Sequence, residues 1–207
     1  MRILLIGASG MIGSRVAAEA RARGHEVTGV TRSGTAGTAV ADASDPAAMA
    51  RLAAGHDAVV SAIAPPRDGS EPSGPLLAAV RGLLGGLREA GVRRLVMVGG
   101  AGSLEVAPGA RLVDSPDFPE IYRNEALALA QALELLRAEA GDLDWTYISP
   151  AIVIEPGERT GKFRLGGDQV LVDDRGDSFI SAEDYAVALV DELENSQAVR
   201  RRITVAR

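Results

Sequence analysis

Three glycines at fixed spacing, close to the start of the chain, could bring the backbone against a phosphate group. The segment Gly7-Ala8-Ser9-Gly10-Met11-Ile12-Gly13 follows an apolar run at 1–6 and precedes a helical pattern at 14–23. In a strand–turn–helix unit the first glycine permits a tight turn, the second admits a pyrophosphate, and the third lets the helix pack closely. Free N–H groups at the helix start also attract anions. The segment therefore predicts a dinucleotide-binding turn in which residues 7–13 contact the cofactor; a turn that serves packing alone is the alternative.

The end of the next predicted strand indicates which dinucleotide this turn would bind. Chains that bind NAD usually carry an acidic residue about 20 positions further on, which holds the ribose 2′-hydroxyl. Here the strand ends in Thr31-Arg32-Ser33. Because a guanidinium matches the geometry of a phosphate, Arg32 predicts NADPH as the cofactor. If Arg32 only lies beside the adenine, NADH is accepted as well.

The ends of four further predicted strands supply the other candidate cofactor contacts. Asp42 ends the third strand, where it either contacts the adenine amino group or caps the next turn. Ligands of doubly wound sheets lie beyond the carboxyl ends of the strands, and small residues there let the backbone pass close to a flat ring. The residues predicted beside the nicotinamide on this ground are Ser61, Ala62, Ile63, Gly99 and Gly100, and Pro150 at the end of the sixth strand is predicted to contact the ligand. Simple strand termination is the alternative.

Strand and helix patterns alternate through the first 150 residues. Predicted strands cover 1–6, 25–31, 37–41, 57–63, 93–98 and 143–149, and predicted helices cover 14–23, 46–53, 75–90 and 121–140. This alternation predicts an α/β chain with a doubly wound parallel sheet, the Rossmann fold, and helices on both faces. We expect a single domain over 1–207, with a dinucleotide-binding core at 1–150 and a small substrate-side and closing segment at 151–207.

The segment after residue 150 is less regular. Short strands are predicted at 151–154 and 169–172, a helix at 181–194 and a closing strand at 201–206. Ser181 and Asp184 have the spacing of a capping box, which gives both a structural role. The charged stretch 159–177 is interpreted as a flap on the substrate side or as a solvated loop. A loop rich in Pro and Gly at 64–74 is interpreted as a stiff rim or a hinged lid.

Composition argues against several classes of protein. The 207 residues carry a formal net charge of −6 and only 3% aromatic residues, so no nucleic-acid partner is expected. Cysteine is absent and there are two histidines, which predicts no metal site. No segment has the roughly 20 apolar residues of a membrane span, so no membrane partner is expected. The N-terminal residues do not have the pattern of a secretion signal. We therefore predict a cytoplasmic protein that acts on a small molecule, without a signal for its oligomeric state.

Six segments together resemble the short-chain dehydrogenase/reductase superfamily, in its atypical NAD(P)H-binding branch. They are the glycine turn, the Thr31-Arg32 strand end, and the segments 61–63, 98–103, 143–151 and 180–186. The chain is similar to NADH-flavin-reductase-like and biliverdin-reductase-like proteins of the NmrA-like group. This resemblance implies a reductase that passes a hydride to a flavin, a quinone or a similar flat acceptor.

One motif of that superfamily is missing. Its usual members carry Tyr-x-x-x-Lys, in which the lysine lowers the tyrosine pKa so that the tyrosine can move a proton. This chain has one lysine, Lys162, and the residue four positions before it is Glu158, so no such pair exists. Carbonyl reduction through that pair is therefore not expected. A flavin or quinone spreads the charge of the hydride and takes its proton from water, so it fits better.

Two residues are candidates for hydrogen bonding to the acceptor. Ser103 follows the fifth predicted strand, near the usual place of a catalytic serine, with an ordinary turn serine as the alternative. Tyr122 lies near the start of the longest predicted helix, with a packing residue as the alternative. Two other functions stay open. One is an NAD(P)-sensing regulator without turnover, as some NmrA-like proteins are; the other is a relative of sugar-nucleotide epimerases, which the missing pair disfavours.

Overall fold

Strands and helices alternate along the chain. The structure, a computed structural model, describes residues 1–35, 37–65 and 70–207. Its strands are β1 (Arg2–Ile6), β2 (Glu26–Thr31), β3 (Thr38–Val40), β4 (Ala58–Ser61), β5 (Arg94–Val98), β6 (Glu105–Ala107), β7 (Ala110–Arg111), β8 (Asp144–Pro150), β9 (Val153–Glu155), β10 (Arg164–Gly166), β11 (Phe179–Ser181) and β12 (Arg201–Ala206). Its helices are α1 (Met11–Ala22), α2 (Pro46–Ala53), α3 (Ser73–Ala90), α4 (Glu120–Glu139) and α5 (Ala182–Asn195), with a 3-10 turn at Leu112–Asp114.

One sheet carries the strands that matter for the site, in the spatial order β10-β12-β8-β5-β4-β1-β2-β3. All neighbours in it pair in parallel except β10, which is antiparallel to β12. From β1 the chain moves outward through β2 to β3 and then returns to β4 on the other side of β1. Such a switch point, beyond the carboxyl ends of the strands, is where doubly wound sheets bind their ligands. The predicted α/β doubly wound fold is confirmed.

Helices cover both faces of the sheet and bury two apolar layers. Helices α1 and α5 contribute residues such as Val16 and Leu189 to one layer. Helices α2, α3 and α4 contribute residues such as Leu83 and Leu133 to the other layer. Every residue of β5 is buried, as expected for a parallel strand covered on both faces. Each fully buried leucine or valine stabilises the fold by about 1.5–3 kcal/mol, so the two layers hold the strand ends in fixed positions.

Two elements have the bounds that the sequence predicts. Helix α2 covers 46–53 and strand β12 covers 201–206. The N-cap of α2 is Asp45, whose side chain accepts hydrogen bonds from the N–H groups of Ala47 and Ala48 at 2.9 and 3.1 Å. Pro46 takes the first helical position, where its missing N–H costs no helical hydrogen bond. Local pattern suffices for α2 because the cap and the proline agree.

Other elements differ from prediction. Helix α1 begins at Met11, three residues earlier than predicted, so its first turn lies inside the glycine segment. The predicted strand at 169–172 is wrong. The strand of this region is Arg164–Gly166, paired with β12, and Gln169 makes only an isolated bridge with Glu105. The stretch before α4, predicted to be irregular, contains the hairpin β6–β7. Whether such a short segment forms a strand is decided by tertiary pairing, since β-propensity depends on contacts with neighbouring strands more than on the residues of the segment itself.

Two residues at the start of α5 hold the segment that follows β9. Asp184 is 1% exposed and accepts hydrogen bonds from the N–H groups of Thr160 and Gly161 at 2.8 and 2.7 Å. Ser181 caps α5 by accepting from the Asp184 N–H at 3.0 Å, and it donates to the Glu158 carbonyl at 2.8 Å. The structural role predicted for both residues is confirmed. Asp184 binds the loop, however, rather than completing a capping box.

An ion pair ties the same segment to α1. Arg159 donates to the Glu19 carboxylate at 2.7 and 2.8 Å, and Arg23 donates to it at 2.8 Å. The hydrogen bonds from Arg159, together with those from Arg23, lower the pKa of Glu19 to about 2 despite its burial. The first part of the predicted flap is therefore anchored to two helices.

Candidate functional site

A cleft of about 410 Å³ lies at the carboxyl edge of the sheet, where β1 and β4 meet. Five segments line it: the glycine turn (Ile6, Gly7, Ser9, Gly10), the end of β2 (Val30, Thr31, Arg32, Ser33), the loop after β3 (Ala41, Asp42, Ala43, Ser44), the end of β4 (Ala62, Ile63, Ala64) and the first turns of α3 (Pro75, Leu76, Ala78, Ala79). The structure thus brings seven predicted cofactor contacts into one cleft, namely Gly7, Ser9, Gly10, Arg32, Asp42, Ala62 and Ile63.

Glycine occupies three positions of the first turn for different physical reasons. Gly7 has a φ of +81°, and a Cβ there would lie 2.5 Å from the Ala62 carbonyl oxygen. A Cβ on Gly13 would lie 2.1 Å from the Gly7 carbonyl oxygen, so the chain itself requires both glycines. At Gly10 the nearest atom to a Cβ is the same oxygen at 3.4 Å, an ordinary contact. Since Gly10 lines the cleft, the room beside it is room for a ligand.

The start of α1 offers hydrogen-bond donors to this space. Gly10 is the N-cap of α1, no side chain caps the helix, and its first turn contains no acidic residue. The first N–H groups of a helix have no partner within the helix, and the helix dipole adds a partial positive charge. A pyrophosphate matches such a site in charge and in hydrogen bonding. The residues present therefore fit the phosphates of a dinucleotide.

Arg32 and Asp42 both lie at the cleft, beyond the ends of β2 and β3. Arg32 is exposed and forms no hydrogen bond within the described part of the chain. One oxygen of Asp42 accepts from the N–H and the hydroxyl of Ser44 at 2.9 and 2.8 Å. These hydrogen bonds, with a smaller contribution from the charge of Arg32, lower the pKa of Asp42 below its ordinary value. Asp42 therefore does cap the next turn, and it also lines the cleft.

Sequence reasoning missed one wall of the cleft. Leu76 and Ala79 of α3 are buried in the apolar layer and also line the cleft. Their spacing of three residues places both on one side of the helix. A signal for this wall exists in the sequence, because α3 is the next element after β4, the strand on one side of the switch point.

The remaining predicted cofactor contacts are not among the residues that line this cleft. They are Ala8, Met11, Ile12, Gly13, Ser61, Gly99, Gly100 and Pro150. Ser61 is fully buried, and its hydroxyl has no hydrogen-bond partner among the described residues. Met11 is exposed at the start of α1. Contact between these residues and a bound cofactor stays a prediction.

Gly99 and Gly100 follow β5 and are packed by the chain itself. A Cβ on Gly99 would lie 2.1 Å from Cε1 of Tyr147, and one on Gly100 would lie 2.8 Å from Cδ1 of Leu129. The Tyr147 hydroxyl donates to the Leu129 carbonyl at 2.9 Å and accepts from the Gly100 N–H at 3.2 Å. The Tyr147 ring and the Leu129 side chain thus occupy the space where a side chain on either glycine would lie, and contact of Gly99 and Gly100 with the nicotinamide stays a prediction.

Two of the three tyrosines are poorly suited to proton transfer. Tyr147 and Tyr185 are both 0% exposed, and the Tyr185 hydroxyl donates to the Ile148 carbonyl at 2.6 Å. Burial raises the pKa of both hydroxyls above the ordinary value. Tyr122 differs from them, since it is 54% exposed near the start of α4. It is therefore the tyrosine that a ligand could reach without rearrangement.

Ser103 lies in the turn after β5 and is half-buried. Its carbonyl oxygen and its hydroxyl oxygen both accept hydrogen bonds from Nη1 of Arg202 at 2.9 Å. Neither Ser103 nor Tyr122 lines the cleft. For both residues, direct contact with an acceptor stays a prediction.

The loop interpreted as a rim or lid, 64–74, falls partly on residues 66–69, which lie outside the described residues. After that gap, the Glu71 side chain accepts hydrogen bonds from the N–H groups of Ser73 and Gly74 at 2.7 and 2.9 Å. These two donors lie at the start of α3, so Glu71 stabilises the beginning of that helix.

Across 1–35, 37–65 and 70–207, no three His, Asp or Glu side chains are grouped so that they could hold a metal ion. Among the helices of those ranges, none combines the length and the apolar character that crossing a membrane requires.

Comparison with known proteins places this cleft in a family. Residues 7–196 match a family model described as NAD(P)H-binding. A Burkholderia pseudomallei structure, described as an exported protein, is 49% identical, with a TM-score of 0.91 and coverage of 100% of both chains. A Bacteroides thetaiotaomicron structure, provisionally named an epimerase, is 39% identical, with a TM-score of 0.89 and coverage of 99% of this chain and 96% of that chain. A Streptococcus pneumoniae structure, provisionally named an NADH-flavin reductase, is 35% identical, with a TM-score of 0.85 and coverage of 100% and 99%. Because the match spans most of the chain and the glycine turn lines a cleft at the switch point, the chain belongs to this NAD(P)H-binding family.

Proposed function

We propose that this protein is an NADPH-dependent reductase whose acceptor is a flavin, a quinone or a similar flat conjugated molecule. The choice of acceptor class rests on one observation. This NAD(P)H-binding chain has a single lysine, and no tyrosine lies four positions before it. Reduction of a simple carbonyl needs a proton donor beside the hydride acceptor. The 35% identical Streptococcus relative, provisionally named an NADH-flavin reductase, supports the same class of acceptor.

The proposed reaction balances without a protein acid. NADPH supplies a hydride, and so two electrons, to the acceptor and leaves as NADP⁺, while the reduced acceptor takes a proton from water. The chain's own part is to bind and orient. The start of α1 would hold the pyrophosphate, and the apolar wall of Leu76 and Ala79 would exclude water from one side of the cleft. Orientation of two rings in this way supplies much of the rate of such a transfer.

A preference for NADPH over NADH is part of the proposal. Arg32 and Ser33 line the cleft next to the end of β2, where the ribose is expected. Asp42 is the acidic side chain of the cleft lining, and one of its oxygens is engaged by Ser44. A hydrogen bond to a charged group contributes about 1.5–3 kcal/mol. One such bond from Arg32 to a 2′-phosphate would make NADPH bind at least about tenfold more tightly than NADH.

The test is a titration of the purified protein with NADPH and with NADH, followed by turnover with FMN and with a small naphthoquinone. We expect tighter binding of NADPH and oxidation of NADPH by at least one of the two acceptors. Binding without turnover on either acceptor would overturn the reductase and favour the NAD(P)-sensing regulator. Failure to bind either nucleotide would overturn both.

An epimerase is the second candidate, because the 39% identical Bacteroides relative is provisionally named one. An epimerase returns its hydride to the substrate, so it would consume no NADPH. Incubation of the protein with a uridine-diphosphate hexose, followed by NMR of the sugar, tests it. Formation of the epimer would favour this candidate over the reductase, and an unchanged sugar would remove it.

A cytoplasmic location is also proposed. The Burkholderia relative is described as an exported protein, whereas residues 2–6 of this chain form the buried strand β1 between β4 and β2. Fractionation of cells that express the protein tests the proposal, and recovery of the mature protein outside the cytoplasm would contradict it.

A further inference from the structure

A second cavity, of about 500 Å³, lies at the amino end of β12. The end of α4, the strand β10 with the residues after it, and the connection from α5 to β12 line this cavity, and it shares no described residue with the cleft at the glycine turn. Four of its lining residues are arginines, namely Arg137, Arg200, Arg201 and Arg202. Because the chain as a whole carries a net charge of −6, the cavity gathers positive charge on an acidic protein.

One carboxylate of the lining, Glu192, is engaged by other parts of the protein. It is 6% exposed, and its Oε1 accepts hydrogen bonds from Nη2 of Arg94 at 2.8 Å and from the Thr146 hydroxyl at 2.9 Å. The N–H groups of Ala198 and Gln197 donate to its two oxygens at 3.1 and 3.2 Å. Arg94 therefore neutralises Glu192, and Glu192 does not neutralise the arginines of the cavity.

A second carboxylate of the lining, Asp168, is shared by two of the arginines. Nε of Arg202, whose side chain is 4% exposed, donates to Oδ1 of Asp168 at 2.8 Å. Nη2 of Arg137 donates to the same oxygen at 3.3 Å. One negative charge thus faces two guanidinium groups at this side of the cavity.

The other two arginines have less compensation. Nη2 of Arg200 lies 3.4 Å from an oxygen of Asp144, and Arg93 donates to both oxygens of that carboxylate at 3.1 and 3.3 Å. Arg201 is exposed, donates to the Gln197 carbonyl, and contacts no carboxylate among the described residues.

Arginines outnumber carboxylates over this whole network of contacts. Within the described ranges it contains six arginines and four carboxylates, namely Arg93, Arg94, Arg137, Arg200, Arg201 and Arg202, and Glu134, Asp144, Asp168 and Glu192. Two positive charges are therefore left over. Since the fork of a guanidinium matches a carboxylate or a phosphate, a dianion would balance the network.

The backbone at Arg200 supports a binding role for this cavity. Its φ is +57°, in the left-handed region that residues with a side chain rarely adopt. Its N–H donates to the Trp145 carbonyl at 2.6 Å, which holds this conformation in place. Glycine would adopt the same conformation without strain, and strain of this kind clusters at ligand sites.

The cavity is also larger than a single phosphate or carboxylate group requires. Its volume lies in the range of small-molecule sites, about 300–1,000 Å³. Leu165, Ala198 and Ile203 supply apolar lining, and Leu165 is 57% exposed. An organic group attached to the dianion would remove this apolar surface from water.

We propose that this cavity is a binding site for a small organic dianion, whose negative groups contact Arg200 and Arg201 and whose apolar part lies against Leu165 and Ile203. Phosphate monoesters and dicarboxylates share this chemistry. The cavity lies at the amino end of a strand, whereas the cleft proposed for the cofactor lies at the carboxyl edge of the sheet. The ligand is therefore separate from the hydride acceptor, and the inference does not depend on the proposed reductase function.

The test is isothermal titration calorimetry of the purified protein with phenyl phosphate, with phthalate and with inorganic phosphate. The titrations are made at about pH 8, where a phosphate monoester carries close to two negative charges. At least one of the two aromatic dianions should bind, at least about tenfold more tightly than inorganic phosphate, which has no apolar part. Binding of phenyl phosphate alone would assign a monoester, binding of phthalate alone would assign a dicarboxylate, and binding of both would support the shared chemistry.

Arg201→Gln removes an exposed cation without breaking an ion pair, so it should fold and should weaken binding at least about tenfold. Arg21→Gln is the matched control, because the exposed Arg21 likewise donates to a backbone carbonyl, that of Val27. Leu165→Ser should weaken binding of the aromatic dianions and leave inorganic phosphate unchanged. The midpoint of thermal unfolding shows whether each variant folds, and Arg200→Gln replaces Arg201→Gln if that variant does not.

A phosphate group could also bind at the start of α1 beside Arg32, so Arg32→Asp is the control for that cleft. Its affinity for phenyl phosphate and phthalate should equal that of the wild type. Three results would overturn the inference: no binding of either aromatic dianion up to about 10 mM, equal weakening by Arg21→Gln and Arg201→Gln, or loss of binding in Arg32→Asp with Arg201→Gln unaffected. None of these titrations contains NADPH, so a failure of the proposed reductase leaves their outcome unchanged.

Discussion

Two glycine-rich turns leave the carboxyl edge of one sheet, one after β1 and one after β5, and one glycine of each, Gly10 and Gly99, is present for opposite physical reasons. At Gly10 in the first turn a Cβ would meet only one oxygen at 3.4 Å, and the space beside it belongs to the cleft. At Gly99 in the second turn a Cβ would lie 2.1 Å from the Tyr147 ring. A glycine in a sequence therefore predicts that another group comes close, without saying whether that group is a ligand or the protein itself.

The same contrast holds for the polar groups of the two turns. No side chain caps the N-terminus of α1 in the first turn. In the second turn the Gly100 N–H is bound by Tyr147 and the Ser103 oxygens are bound by Arg202. We therefore expect substitution of Gly10 in the first turn to change cofactor affinity and substitution of Gly99 in the second turn to change stability.

The largest effect is expected at the second turn, for Gly99→Ala. The new methyl group would overlap the buried Tyr147 ring, since the Cβ position lies 2.1 Å from Cε1 of that ring, and overpacking of this kind costs up to about 3 kcal/mol. Urea denaturation measures the free energy of unfolding. Gly141→Ala is the matched control, because no atom lies within 4 Å of its Cβ position. Unchanged stability of Gly99→Ala would mean that Tyr147 can move aside and that the contrast between the turns is false.

The next largest effect is expected for Arg32→Asp at the edge of the cleft. It should weaken NADPH binding about 100-fold and NADH binding less than about threefold. The hydrogen bonds from the guanidinium to the 2′-phosphate are lost, and the new carboxylate repels that phosphate. Titration with both nucleotides measures the two Kd values. Arg51→Asp, on an exposed position of α2, controls for net charge. Equal weakening of both nucleotides would place Arg32 beside the adenine instead.

A smaller effect on affinity is expected for Gly10→Ala. Its methyl group has room within the chain but would occupy space in the cleft, so NADPH should bind about tenfold more weakly. The free energy of unfolding should change by less than about 1 kcal/mol, because alanine is a somewhat poorer N-cap than glycine. Gly13→Ala is the comparison, since its Cβ would lie 2.1 Å from a carbonyl oxygen and should destabilise the protein. If Gly10→Ala lowered stability alone, packing rather than ligand binding would explain both glycines.

The smallest effect is expected for Glu19, on the helix that starts at the first turn. Its pKa of about 2 lies below its ordinary value of 4.5, so its contribution to stability is present above pH 4.5 and is lost as the pH falls toward 2. Because Arg159 is 56% exposed, screening by solvent limits this contribution to about 1 kcal/mol. Glu19→Gln should cost about that amount at neutral pH, about half of it near pH 3 and almost nothing at pH 2 or below, measured by urea denaturation at each pH.

The affinity of Glu19→Gln for NADPH tests whether the C-terminal segment is independent of the first turn. We expect the Kd to stay at the wild-type value, because Glu19 binds the segment 157–161 through Arg159 and does not line the cleft. Weaker binding of NADPH would show that the anchored segment and the cofactor turn are coupled through α1.

Prediction from the sequence succeeds where neighbouring residues settle the structure. The capped helix α2 is one such case, and the turn from β1 into α1 is another, because cap, glycine spacing and apolar run lie within a few residues of each other. The approach of Arg32 and Asp42 to one cleft also follows, since the topological rule brings strand ends together at one edge. The short strand β10 could not be predicted, because its partner β12 lies almost forty residues further along the chain.

Local sequence pattern alone predicts the α/β alternation and the cofactor turn, and it shows that the tyrosine–lysine pair is absent. Contacts between residues that are distant in the chain are determined only by the folded sheet. Tyr147 fills the space beside Gly99, and Arg202 reaches Ser103 across 99 residues of sequence. Such contacts depend on which strands become neighbours and on which face each side chain lies, and these are properties of the packed layers rather than of any local run of residues.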